Sequence, residues 1–348
     1  MMMPKPSLFA EEERGKRRSK LGDPLVGLST HVDFAALADE IDTALPRPWR
    51  AKGGRPPYAT VLMTKILILQ QLYNLADDAL EYQLLDRRSF LLFLGLTESS
   101  TISPMPRRFG CSATVFRKLA WAPSCSTRFS NSCWRMATWP AAVRSSTLRE
   151  YRHRCSATSA RKLKQSRKAP CGLPGKRTSV PQKDVDAKWT KKRGKSHFGY
   201  KLHASIDKRH KLVRKVIITN AAVSDSVVFE DLLDQNNTSR DVYADRGYPS
   251  VEREAMLPAA GWRVQIQRKG SATKPISEAQ KQRNRRIATP RARVEHVFGA
   301  MRHMGGKLVR CMGIVRVTFA LHLKTASYNL QRLVFLKERK HDASTVWT

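Results

Sequence analysis

A chain of 348 residues with 64 Lys and Arg against 29 Asp and Glu, a net charge of +35, has room for two domains and a sizeable core. That excess points to a polyanionic partner, nucleic acid ahead of a membrane surface, and the 41% hydrophobic content excludes a mere basic tail protein. The longest apolar run, Val61 to Leu69, carries Lys65 and is too short to span a bilayer; no signal peptide is visible, so the expectation is a cytoplasmic protein with no membrane partner.

Residues 1–24 are polar and basic and read as a mobile tail able to touch phosphate. In H-V-D-F-A-A-L-A-D-E-I, Phe34, Leu37, Ala38 and Ile41 mark one helical face, and Pro46 and Pro48 stop the helix. Pro57 is placed to open the next one, from about Tyr58 to Tyr73, which is apolar on most sides and therefore buried. Two shorter helices follow, with Ser89 available as a cap and Gly95 as a terminator. Residues 25–102 thus form a small all-helical domain, either for DNA-end recognition and dimerisation or as plain scaffold; no helix-turn-helix spacing decides between them.

Residues 103–181 differ in kind. They hold five of the six cysteines (Cys111, Cys125, Cys133, Cys155, Cys171) and 17 Lys and Arg against one acid, Glu150, a net +16 of the total +35. Neither helical nor strand periodicity persists. A Cys-rich DNA-binding linker, a disordered linker and translation in the wrong frame compete, and the genetic code favours the last. Read one base earlier, the Cys133/Trp134 junction must encode Leu, the Met136/Ala137 junction Gly and the Trp139/Pro140 junction Ala. The run from Cys133 to Leu148 then accommodates L-E-D-G-N-L-A-G-G-S-Q-I-I-D-A, ending as a buried strand with an aspartate whose codon straddles Ser146 and Thr147. The same shift makes Pro104 to Ser112 compatible with an amphipathic helix and rejoins the normal frame near Pro181. On this reading the segment is poorly ordered as written, and its cysteines are accidental rather than zinc ligands.

From Gln182 the pattern is orderly. A basic lead-in (Lys191, Lys192, Arg193, Lys195) precedes the strand H-F-G-Y-K-L-H-A-S-I-D, with Phe198, Tyr200, Leu202 and Ala204 on one face and His197, Lys201 and His203 nearer the other. K-L-V-R-K-V-I-I-T-N is a second strand joined by a K-R-H turn, and S-D-S-V-V-F-E-D-L-L-D reads as a helix capped by Ser224 or Asp225. D-V-Y-A-D-R-G-Y makes a short strand ending at Asp245 before a Gly turn, W-R-V-Q-I-Q-R another, and a charged loop leads to a helix over T-P-R-A-R-V-E-H-V-F-G-A-M-R. A final amphipathic helix runs from about Arg316 to Leu336.

In the penultimate helix Arg291, Glu295 and Arg302 share roughly one face, beside the core-facing Val294, Val297, Phe298 and Met301. Taken alone this is more simply a surface helix with i, i+4 Arg–Glu pairs. In context, strands alternating with helices, one acid at a strand end and another on a late helix suit an α/β nuclease sheet. Carboxylates on adjacent elements can hold two Mg²⁺ or Mn²⁺ ions roughly 3.5–4 Å apart, with hard oxygen ligands that exclude zinc. Such a site needs at least three carboxylates. Asp245 and Glu295 are the readable two, and the third falls in the shifted segment. For both residues the plainer roles, a turn cap and a helix-surface acid, are outweighed by this context. Trp189 reads as packing, and the lysine run as a solvated face that binds backbone phosphate when it lies beside a nuclease sheet.

Four stretches carry a resemblance: G-R-P-P-Y with the helical block through F-L-G-L; D-V-D-A-K-W-T-K-K-R-G-K-S-H-F-G-Y-K; N-T-S-R-D-V-Y-A-D-R-G-Y; and R-A-R-V-E-H-V-F-G-A-M-R. Over about residues 50–102 and 182–335 the chain resembles the DDE transposases of bacterial insertion sequences, in the insertion sequence five family. The resemblance implies an RNase H-like mixed sheet flanked by helices over residues 182–340. It implies strand cleavage and transfer at terminal inverted repeats and target DNA, by a homodimer or higher assembly in a synaptic complex in the bacterial nucleoid. Asp245 then matches the family's second aspartate, Glu295 its glutamate, and Arg291 and Arg302 the flanking basic pair. The first aspartate has no in-frame counterpart, which makes this a degenerate, inactive copy. The reading from another class is a non-enzymatic basic DNA-binding protein using the helical domain, the lysine run and His197.

Overall fold

The computed structural model describes residues 9–44, 58–96, 144–153, 184–192, 194–234, 239–270, 275–305 and 308–345. Six helices come first: α1 (Ala10–Leu21), α2 (Pro24–His31), α3 (Phe34–Ala44), α4 (Thr60–Leu72), α5 (Asp77–Asp86) and α6 (Arg88–Leu94). Helix α1 lies within the stretch expected as a mobile tail. Its sequence opens on acids and closes on bases, with Glu12/Lys16 and Glu13/Arg17 at i, i+4, the order that favours a helix in water. In α3 the four expected residues, Phe34, Leu37, Ala38 and Ile41, are the buried ones. Gly95 ends α6 in the left-handed region at φ 76°, as expected, whereas Ser89 lies inside α6 and makes no cap; Arg87 holds the cap position. The expected breaks at Pro46, Pro48 and Pro57 lie outside the described residues.

The second half builds a seven-stranded mixed sheet from β1 (Arg144–His153), β2 (Lys188–Lys192), β3 (Lys195–Asp207), β4 (Val213–Asn220), β5 (Asp241–Ala244), β6 (Arg263–Ile266) and β7 (Leu308–Val309). The strand order is β2-β3-β1-β5-β6, with β4 also on β3 and β7 on β1. Strand β1 runs antiparallel to β3 and parallel to β5, and β5 runs parallel to β6. Helices α7 (Val251–Ala259), α8 (Glu278–His303) and α9 (Ile314–Thr345) complete the fold.

Strand β1 falls within the segment expected to be poorly ordered, and it is the central strand. Ladder hydrogen bonds need only backbone groups, so a central position can be filled by a sequence without alternation. The remainder of that segment, including all five of its cysteines, lies outside the described residues. On β3 the expected alternation is half right. Tyr200, Leu202, Ala204 and Ile206 are buried, but so are Lys201, His203, Ser205 and Asp207 on the other face. That face is covered by residues 221–234, of which Ser224–Asp234 was expected as a helix but folds as turns around a 3-10 turn, Glu230–Leu232. Asp225 does not cap; it pairs with Lys201 at 3.2 Å, and Asp234 pairs with Arg214 at 2.9 Å, so both ends of the run are tied to other elements.

Two cores meet on α9. One unites α2 to α6 with Leu323, Ala326, Leu330 and Val334 of α9. The other joins one sheet face to Val294, Val297, Phe298 and Met301 of α8 and to Val317, Leu321 and Tyr328 of α9. The N-terminal helices are therefore not a self-contained unit over 25–102: their core needs residues from the far end of the chain. A third cluster, with Phe229, Tyr248, Leu257 and Trp262, packs behind β5 and β6.

Candidate active site

Strand β5 is short because its sequence leaves it little to extend: after the buried Val242 and Ala244 come Asp245 and a Gly247 turn. Asp245 therefore stands at the carboxyl end of a parallel strand, where α/β sheets open their ligand crevices. Its side chain is 47% exposed, and its Oδ1 accepts the Arg246 backbone N–H at 2.7 Å. The turn is braced from behind by Arg253, a residue that sequence reading passed over. Buried in α7, Arg253 donates to the Tyr248 carbonyl at 2.7 Å, while the Tyr248 N–H donates to the Asp245 carbonyl at 3.2 Å. An arginine among exposed glutamates gave no signal of this, since its partners, the Ser226 and Tyr248 carbonyls, the Ser226 hydroxyl and Glu230, lie on other elements.

Helix α8 begins eleven positions earlier than the T-P-R stretch suggests, at Glu278, where Ser277 accepts the Gln280 N–H as a cap; the charged run before Pro290 belongs to the helix and not to a loop. Its core stripe presses the helix on the sheet and turns Arg291 toward β5. The Arg291 guanidinium meets Asp245 Oδ1 at 3.1 Å. The i, i+4 pair with Glu295 is not formed, and Arg291 reaches across to the strand-end acid. Glu295 lies one turn further on, exposed, with no ion pair among the described residues. Arg291 is only 18% exposed, and its Nε is buried without a hydrogen-bond partner among the described residues, a donor suited to an anion's oxygen. Arg302 is exposed in the last turn of α8 and forms no ion pair with either acid among the described residues.

The donor set suits a hard cation. Both acids carry oxygen ligands, and only Oδ1 of Asp245 is engaged among the described residues. Among the described residues no three His, Cys, Asp or Glu side chains converge, so a two-ion centre is not assembled from these. The register of β1 adds a position. Arg144 and Ser145 pair with Val242 and Tyr243, so continuing the parallel ladder brings Ser146 level with Ala244 and Thr147 level with Asp245. Thr147 also pairs with Ala204, a residue of the core under α8.

The basic hairpin does not join this site. Lys191 pairs with Ser196, Lys192 with Lys195, and Thr190 with His197 at the β2 edge, three strands from β5, roughly 14 Å across the sheet. Lys191, Lys192 and Lys195 are exposed, His197 is half-buried, and Arg193 lies outside the described residues. Trp189 stacks on Phe198 at 5.2 Å, the packing role expected of it.

Residues 175–330 match the family model for the transposase DDE domain, and residues 12–108 the model for a transposase domain termed DUF772. The transposase for insertion sequence element IS1106 of Neisseria meningitidis serogroup B is 34% identical over 154 residues, covering 44% of this chain and 53% of that protein. The chain thus spans about half the length of that curated relative. A cryo-EM structure of the piggyBac transposase synaptic complex with hairpin DNA aligns over 93% of this chain and 76% of its own at TM-score 0.48 and 12% identity, too distant a likeness to carry an argument. No helix among the described residues is long and apolar enough to cross a membrane.

Proposed function

Since residues 12–108 and 175–330 are the two transposase domains of a bacterial insertion-sequence DDE transposase, we propose that this chain derives from an enzyme that cuts and joins DNA strands at terminal inverted repeats, with Asp245 and Glu295 as metal-holding carboxylates. The observation that carries the reading is the Arg291–Asp245 contact, which fastens the helix bearing Glu295 to the strand end bearing Asp245. The sheet supports an RNase H-like core: β1 has an antiparallel meander, β3 and β4, on one side and the parallel strands β5 and β6 on the other. Asp245 and Glu295 would hold Mg²⁺ or Mn²⁺, which supplies Lewis acidity toward a phosphodiester oxygen and lowers the pKa of bound water. Arg291 and Arg302 orient the phosphate through charge-assisted hydrogen bonds. Pairing of two DNA ends calls for a homodimer or larger synaptic assembly.

The copy lacks its third carboxylate. Residues 103–181 read in frame once shifted, the shifted aspartate falls between Ser146 and Thr147, and the ladder brings those positions level with the end of β5. A slipped frame upstream of Gln182 accounts for all three. As written, the chain is expected to bind terminal-repeat DNA without nicking it. The Thr147→Asp variant is expected to bind Mn²⁺ in a titration followed by electron paramagnetic resonance and to nick that DNA. Mg²⁺-dependent nicking by the unaltered chain refutes the degenerate state. A Thr147→Asp chain that folds but gains neither Mn²⁺ binding nor nicking refutes the placement of the site. The second reading, a basic DNA-binding protein without catalysis, rests on the net +35 and is favoured by binding that no substitution converts into cleavage.

A further inference from the structure

We propose that the β3–β4 turn, the middle of α8 and the C-terminal half of α9 form a clamp for the phosphate backbone of a DNA duplex, apart from the Lys191–Lys195 hairpin and adjoining the Asp245–Glu295 pair. The clamp deepens the nuclease reading by naming the surface on which DNA lies, and it is testable without cleavage.

Six cations gather there: Lys208, Arg209 and Lys211 on the turn, Arg286 and Arg293 on α8, and Arg332 on α9. Among the described residues none of them lies within 4.0 Å of a carboxylate oxygen. The acids of the neighbourhood are already engaged. Asp207 is fully buried, accepts the His210 backbone N–H at 2.5 Å and faces the His210 ring at 3.3 Å, and Asp234 pairs with Arg214 at 2.9 Å. The arginines bind the turn itself. Arg293 donates to the Lys208 carbonyl at 2.6 Å and Arg332 to the His210 carbonyl at 2.8 Å, while the Tyr328 hydroxyl donates to the Lys211 carbonyl at 2.8 Å. Lys208 Nζ sits 4.9 Å over the Tyr243 ring.

A solvated charged face has long side chains free to separate and acids among them. Here like charges are held together by fixed backbone contacts. The Lys211 ammonium is pushed down from its ordinary range, by burial first and then by Arg332 and Arg293. Cations held together without acids favour a polyanion that supplies the missing charge. The surface abuts the site through two short links: Arg293 is two residues beyond Arg291, which holds Asp245, and Tyr243 is two residues before Asp245. The ligand chemistry is phosphodiester backbone without base readout, because the contributors are Lys and Arg on a rigid turn and helix surfaces.

The test is metal-free binding of the full chain to a fluorescent duplex of arbitrary sequence, in EDTA, across a salt series. Each lost phosphate contact lowers the slope of log K against log salt by about 0.9. Lys208→Gln/Arg209→Gln/Arg293→Gln is therefore expected to lower it by about 2.7, and Arg209→Gln/Arg286→Gln by about 1.8. The second variant guards against loosening of the turn, since neither of its side chains makes a hydrogen bond or ion pair among the described residues. Slopes equal to the parent's in both variants overturn the clamp. If Lys191→Gln/Lys192→Gln lowers the slope while those two do not, the clamp falls and the nuclease reading stands; a parent that binds no DNA sinks both.

Discussion

Asp184 is buried just ahead of β2, and its removal should cost more than any single surface charge. It is 7% exposed, and its two oxygens accept the Tyr200 hydroxyl at 2.7 and 2.8 Å, the backbone N–H groups of Asp186 and Ala187 at 3.2 and 3.3 Å, and that of Gly313, just ahead of α9, at 3.2 Å. Tyr200 is fully buried, and its phenol is pushed well above its ordinary range by burial and then by the Asp184 hydrogen bond. Asp184→Ala strands one hydroxyl and three N–H groups. At about 1–3 kcal/mol for each orphaned buried group, with water reaching the outer N–H groups, the loss is about 3–5 kcal/mol. Tyr200→Phe removes the hydroxyl but leaves three donors on the carboxylate, so it should cost about 1.5–2 kcal/mol, one charge-assisted bond. The double variant should cost about 1–2 kcal/mol less than the sum of the two. Urea unfolding followed by circular dichroism at pH 7 measures all three. Costs that add to within about 0.5 kcal/mol would show that the pair is not coupled and would refute the argument.

Two further outcomes follow from burial. Leu330→Ala, at a position 0% exposed in the core that α9 shares with the N-terminal helices, should cost about 2–5 kcal/mol and lower the unfolding midpoint of the helical half, read from Tyr73 and Phe90 region fluorescence or hydrogen exchange. His322 is buried and held near pKa 4 by desolvation, so it is neutral when folded. Between pH 4 and its unfolded value of about 6.5 the unfolded chain binds the extra proton. Stability present above pH 6.5 is therefore lost as pH falls, by up to about 3 kcal/mol at pH 4. His322→Gln should flatten that dependence in urea titrations at pH 7 and pH 4.5, and an unchanged slope would count against it. His203, also lowered to about 4 by burial, acts in the same direction.

Much of the site was legible because its signals are local. The α3 face followed from 3.6-residue spacing, and Asp245 from a strand that runs out into a Gly turn. What was not legible depends on partners elsewhere. Residues 225–234 have the composition of a helix, but Lys201 and Arg253 draw them into turns. The second face of β3 carries polar residues with no apolar signal of burial, yet Lys201 is satisfied by Asp225 and the Val223 carbonyl, and His203 by Thr219 at 2.8 Å. Helix α7 went unread, since Arg253 inside it has no apolar rhythm. The centre of the sheet, β1, carries no alternation to find, and only its neighbours' backbones reveal it.

The shared helix α9 also fixes when the protein can fold. The apolar sides of α2 to α6 are finished by Leu323, Ala326, Leu330 and Val334, which leave the ribosome only after those helices and every strand of the sheet have been made. During that interval the first domain emerges with its greasy flank uncovered, and closing it requires the longest loop the chain possesses, a slow step. Loss of the last few turns through a stop codon would therefore be felt first at the opposite terminus, as clumping of nascent chains.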